Sequence, residues 1–201
     1  MKIRSLKFFV VTVALLGAGI ANAHPGHSTA NLFEGLFHPL SLDHLLVMLA
    51  VGVWSVCALP SNQVWRGPLV FLVTLTGAAA LGAAGATLPW LEHAVALTVV
   101  LSGVMLWQAR QGTRRASGLT LLPVALMGAL HGLAHGVETP AGSFAGYAAG
   151  FLISTTVLHL LGIVAALGLR RSVAHAVAAA VGSLGAAIGI AGALLLAQMG
   201  A

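Results

Sequence analysis

Three ionisable side chains stand together in a strongly apolar stretch. They are His131, His135 and Glu138, in the run Leu130-His131-Gly132-Leu133-Ala134-His135-Gly136-Val137-Glu138. On a helix turning about 100° per residue, His135 lies about 40° from His131, and Glu138 about 20° to its other side. All three therefore share one narrow stripe. Such groups are expensive in lipid and mark a functional site by default. Two imidazoles and a carboxylate on one stripe look like a set of metal ligands.

A second group precedes it in the chain, in His38-Pro39-Leu40-Ser41-Leu42-Asp43-His44. Pro39 suits the first position of a helix. His38 then stands outside the helix proper, free to fold back over its end, with Asp43 and His44 in the next turn. The helix dipole at that end supports an ionised Asp43 and disfavours a protonated His44. A neutral imidazole is the form that coordinates a metal, so acid should weaken binding. Beyond the first 23 residues the four acids are Glu34, Asp43, Glu92 and Glu138, and each lies close to a histidine: His38, His44, His93 and His135. They serve either as ligands or as acceptors for the second nitrogen of a metal-bound imidazole. Met48, one turn after His44, offers a thioether or plain packing. His24 and His27, with a free α-amine at His24, form a candidate capture site ahead of the spans, and His159 is a candidate on the way inward.

The elements that must position these groups are membrane helices. The chain has 201 residues, only 6% of them charged, and a mean hydropathy of +1.00. That composition points to an integral membrane protein rather than a soluble or disordered one. Lys2, Arg4 and Lys7, the apolar run Phe8 to Ile20, and Ala21-Asn22-Ala23 have the pattern of a cleavable signal peptide over residues 1–23. The mature chain would begin at His24, and residues 24–201 would form one six-helix transmembrane domain, all-α. The spans expected are Pro39–Leu59, Pro68–Leu88, Leu91–Ala109, Gly118–Gly136, Ala145–Leu169 and Val173–Met199. With one cysteine, Cys57, the chain can form neither an internal disulfide nor a cysteine-based zinc cage. The basic residues make no stripe and no aromatic platform accompanies them, which argues against nucleic acid as a partner.

Charge fixes the orientation. With His24 outside and six spans, Arg66, then Arg110, Arg114 and Arg115, then Arg170 and Arg171 fall in inside gaps, and the outside gaps hold no Lys or Arg. This is the positive-inside pattern, with both mature termini periplasmic in a bacterial inner membrane. The two histidine groups and Glu92-His93 then open or close their spans at the outer side. Gly128, Gly132 and Gly136, and again Gly142, Gly146 and Gly150, recur every four residues, a spacing that lets helix backbones approach closely in lipid.

At its two histidine motifs the sequence resembles the HupE/UreJ family of nickel permeases. The stretch His131 to Glu138 is similar to that family's HGxAHGxE signature at every fixed position. The stretch from His38 through Asp43 and His44, followed by Leu45, Leu46 and Met48, is similar to its first-helix motif. One departure stands out: four residues separate His38 from Asp43 where the family places five, and H-x4-D-H is the spacing of the separate NiCoT nickel/cobalt permeases. The resemblance implies uptake of Ni²⁺, with Co²⁺ as the alternative, for hydrogenase or urease maturation. The ion would be the cargo, and no cofactor would be permanently bound. From the residues alone the reading is a His/carboxylate metal site within the membrane. With the resemblance it becomes a non-enzymatic secondary permease using His38, Asp43, His44, His131, His135 and Glu138, with His24, His27, His93 and His159 along the route. A membrane-embedded zinc hydrolase and a metal-binding subunit of a larger transporter are the alternatives.

Overall fold

The structure, a computed structural model, describes residues 32–111, 118–139, 144–172 and 176–200. Seven α-helices occur among them: α1 (Leu32–Phe37), α2 (Leu42–Ala58), α3 (Arg66–Ala83), α4 (Leu91–Ala109), α5 (Gly118–Val137), α6 (Phe144–Ser172) and α7 (Val177–Met199). Short 3-10 turns at His38–Leu40 and Ser61–Gln63 precede α2 and α3. Five helices are long and apolar enough to cross a membrane, and six if the pair Leu32–Leu40 and Leu42–Ala58, bent by 77°, is one broken span. The protein is thus an all-helical membrane bundle. The expected signal peptide, together with His24, His27, Arg114, Arg115 and Gly142, lies outside the described residues.

Helix α2 is the axis of the bundle. Thirteen of its seventeen residues are buried, so it is covered all round, as a helix apolar on every face must be. Glycines set the contacts around it. A Cβ on Gly128, Gly132 or Gly136 would strike the carbonyls of Phe71, Leu75 and Ala79 in turn, which clamps α5 to α3. Gly52 of α2 and Gly162 of α6 meet backbone to backbone, and Gly35 of α1 packs in the same way on Tyr147 and Phe151 of α6. In lipid, tight van der Waals contact of this kind replaces the hydrophobic effect as the force between helices. Arg66 opens α3, Arg110 follows α4, and Arg170 and Arg171 close α6. With alternating helices these ends lie opposite the histidine-rich end.

Two boundaries differ from the sequence reading. The first span does not run as one α-helix from Pro39: Pro39 sits in the 3-10 turn, Ser41 is extended (φ −57°, ψ 149°), and α2 starts at Leu42. Ser41 has the backbone of an N-cap, yet its hydroxyl makes no cap hydrogen bond and instead meets the His44 ring at Nδ1, 3.0 Å. The second span ends at Ala83 rather than Leu88, because Gly85 takes a left-handed φ of 96° and Ala86 N–H donates back to Leu81 O at 3.0 Å. This is a glycine-closed helix end. Of the tryptophans, Trp65, Trp90 and Trp107 are exposed near helix ends, as an aromatic belt requires, whereas Trp54 is buried in the core.

Candidate metal centre

Four imidazoles converge at one end of the bundle. His38 comes from the 3-10 turn, His44 from the first turn of α2, and His131 and His135 from the last two turns of α5. Ring centroids are 4.6 Å apart for His38 and His135, 4.8 Å for His44 and His135, and 4.5 Å for His44 and His131. One nitrogen each of His38, His44 and His135 can be chosen so that all lie within 4.8 Å of one another. The 77° bend makes this possible. It turns His38 back over the end of α2, where a continuous helix would carry it away.

The carboxylates hold the rings. Glu138 Oε2 stands 2.9 Å from His38 Nε2, which joins the first motif to the second. Asp43 Oδ1 lies 3.1 Å from His44 Nδ1, the same nitrogen that meets Ser41. His44 Nε2 is thereby left facing the cluster, buried and without a partner. A carboxylate on one imidazole nitrogen and an open lone pair on the other is the arrangement that orients a metal-binding histidine. His131 Nε2 is 2.8 Å from the Thr98 hydroxyl, and its Nδ1 has no partner. His135 lies flat on Phe151, at 4.5 Å with 10° between planes, and neither of its nitrogens is bonded. The Tyr147 hydroxyl, on a ring 5.8 Å from that of His38, is also buried without a partner. An unpaired buried polar group costs about 1–3 kcal/mol. Several at one place make a ligand-shaped deficit.

Exposure falls inward through the cluster. The Glu138 and His38 side chains are 42% and 26% exposed, while His131 and His135 are fully buried. A shared ion with metal–nitrogen bonds of about 2.1 Å would hold its donors about 3–4 Å apart, closer than the 4.8 Å within which the three nitrogens lie here, so gripping one would draw the cluster in by up to roughly 1 Å. Two expected residues stand apart. His93 packs on the exposed Trp90, ring to ring at 5.2 Å, at the start of α4. Trp90 itself is left-handed, with φ 62°, a strained state for a bulky residue, and Glu92 beside it is exposed. His159 is buried deeper, against Phe71 at 5.0 Å.

Sequence reasoning did not single out Thr98, Ser41 as a His44 partner, or the aromatic residues Phe71, Tyr147 and Phe151. Only Ser41 carried a signal, by lying inside the first motif. The others are unremarked residues of apolar helices whose role depends on contacts far apart in sequence.

Fold and site together define an integral membrane protein with a largely buried histidine cluster, flanked by two carboxylates, at one end of the bundle. The family described as HupE / UreJ protein matches residues 12–195, and the chain belongs to that family. It is 40% identical to Protein HupE of Rhizobium leguminosarum bv. viciae over 193 residues, covering 94% of this chain and 97% of that one. No solved structure matches it.

Proposed function

We propose that this protein is a secondary permease for divalent transition-metal ions, Ni²⁺ foremost and Co²⁺ as the alternative, taking them from the periplasm through a bacterial inner membrane. The observation that carries this reading is the convergence of three imidazoles with donor atoms within 4.8 Å, two of them buried with unpartnered nitrogens. Family membership supports it, since HupE/UreJ proteins are linked in general to nickel and cobalt uptake. Nitrogen donors suit nickel, cobalt, copper and zinc over the hard ions. The link of HupE to hydrogenase and of UreJ to urease supports supply of a metal to enzyme maturation as the purpose.

In this reading His38, His44, His131 and His135 supply nitrogen donors. Asp43 and Glu138 offset the ion's charge in a medium of low dielectric. His24 and His27 gather ions outside, and His93 lies at the lip. The binding is loose enough for release, as transport requires. Membership of the HupE/UreJ family does not favour the hydrolase alternative.

The test is Ni²⁺ entry into vesicles holding the purified chain. His135→Ala and Glu138→Ala are expected to slow uptake by about tenfold or more, the scale of losing a ligand or its support. Wild-type vesicles no more permeable than empty ones would refute the permease. Wild-type rates in both variants would refute the site.

A further inference from the structure

Helix α6 carries Tyr147, Phe151, Thr155 and His159 at every fourth position, and all four are buried. Residues four apart share a helix face, so they form one stripe that starts at the metal cluster and runs inward. Tyr147 lies beside His38, and Phe151 covers His135. Further in stands His159, 1% exposed. Gly52 of α2 packs on its carbonyl, which places it at a level eight residues, about 12 Å, inward of His44. In a hydrocarbon layer about 30 Å thick that is close to the middle.

The polar groups at this depth are poorly partnered. Thr155 Oγ1 and both ring nitrogens of His159 make no well-aligned hydrogen bond among the described residues, although the Thr155 carbonyl, one turn back, lies near the His159 ring. The flanking hydroxyls behave differently: Ser154 donates to Leu36 O at 2.6 Å, and Thr156 to Leu152 O at 2.7 Å. A helix offers its serines and threonines a carbonyl one turn back, as Leu152 O serves Thr156, and Thr155 leaves its own unused. Phe71 separates this pair from the outer cluster, with its ring 5.9 Å from His131 on one side and 5.0 Å from His159 on the other.

We propose that His159 and Thr155 form an inner binding station for the same divalent ion, partitioned from the outer cluster by the rings of Phe71 and Phe151. The inference rests on the permease reading above. Its donors are neutral, an imidazole nitrogen and a hydroxyl oxygen. All four acids stand near the histidine-rich end of the bundle, and none lies on this stripe. The inner station therefore holds the ion less firmly than the outer one, a gradient that favours onward passage over trapping.

The test compares His159→Leu with His159→Cys in the full chain, reading equilibrium Ni²⁺ binding and Ni²⁺ uptake by vesicles. The leucine variant is expected to keep the outer-site affinity within about threefold while uptake falls about tenfold or more. The cysteine variant restores a donor and should recover at least about half of the rate, on the same scale of ligand effects. A packing role would favour leucine over cysteine, so the order of the two variants separates ligand from filler. Wild-type uptake with leucine overturns the station. So does loss of outer-site binding in the leucine variant, or equal loss of uptake in both. A wild-type chain that neither binds nor moves Ni²⁺ refutes the permease reading instead.

Discussion

Asp43→Asn isolates the part of ion binding that charge supplies. The carboxylate touches His44 Nδ1 at 3.1 Å, and an ion on Nε2, bonded at about 2.1 Å, stands about 7 Å from it across the imidazole. At an effective dielectric near 20, a unit charge at that distance acts on each unit of the ion's charge with about 2.4 kcal/mol. Asparagine keeps the shape and a carbonyl oxygen for Nδ1–H, and Ser41 remains at 3.0 Å on the same nitrogen, so ring orientation survives while the charge is lost. Loss of such an outer partner typically weakens metal affinity by about 10–100-fold. That Coulomb figure corresponds to about 50-fold per unit of ion charge, at 1.4 kcal/mol per tenfold. A doubly charged ion feels twice the energy, which solvent screening at the partly exposed carboxylate reduces. Ni²⁺ affinity measured by titration calorimetry on the purified chain should therefore fall by about 30–100-fold, with Asp43→Ala weaker still because orientation goes too. An Asn variant within about twofold of wild type would show that the carboxylate neither polarises His44 nor balances the ion, contrary to the charge argument.

Two further predictions concern the frame. Thr98→Val leaves His131 Nε2 buried without its 2.8 Å partner and should destabilise the bundle by about 1 kcal/mol, read as a lower unfolding midpoint in detergent. Gly132→Ala should cost about 1–3 kcal/mol through overpacking, because a Cβ there strikes the Leu75 backbone. Gly77→Ala on the same α3–α5 pair meets nothing within 4 Å and should stay within about 0.5 kcal/mol of wild type; equal effects would show that α3–α5 contact does not depend on glycine.

Legibility in the sequence followed the range of each interaction. The stripe of His131, His135 and Glu138 needs only helical periodicity, and both helix α5 and the shared face are there. The arginine pattern likewise needs only alternation of spans, and the described arginines stand at the ends opposite the histidines. The overlong second span has a local cause. Residues Ala83 to Leu88 carry no charge, and hydropathy cannot distinguish a helix from a left-handed turn at Gly85. The pairing of Glu138 with His38, rather than with its own helix, joins residues one hundred apart. Thr98 is harder still: a threonine within an apolar helix has no pattern to mark it until α4 is laid against α5. Glycine spacing announced close approach and left the partner open, so that Gly132 names Leu75 only in three dimensions.

The mounting of the ligands bears on how the cluster can both grip and release. His131 and His135 sit on α5, which its glycines press against α3, and His135 is further pinned under Phe151. His44 is fixed at Nδ1 by Asp43 and Ser41. None of these rings is placed to move by the roughly 1 Å that metal–nitrogen bonds of about 2.1 Å demand. His38 is mounted otherwise, on a three-residue 3-10 turn at a 77° break between helices, partly exposed and tied to Glu138 rather than to the core. A chain break of this kind absorbs dihedral change that a helix interior resists. The contraction therefore belongs to His38. In the permease reading proposed above, an arriving ion would meet Glu138 first, since it is the more exposed partner, and would part it from the His38 nitrogen. The freed ring would then close on the ion beside His44 and His135. Return of the imidazole to Glu138 would loosen the site and let the ion pass inward, so one mobile ligand and its exchangeable carboxylate would do what a rigid cage of four could not.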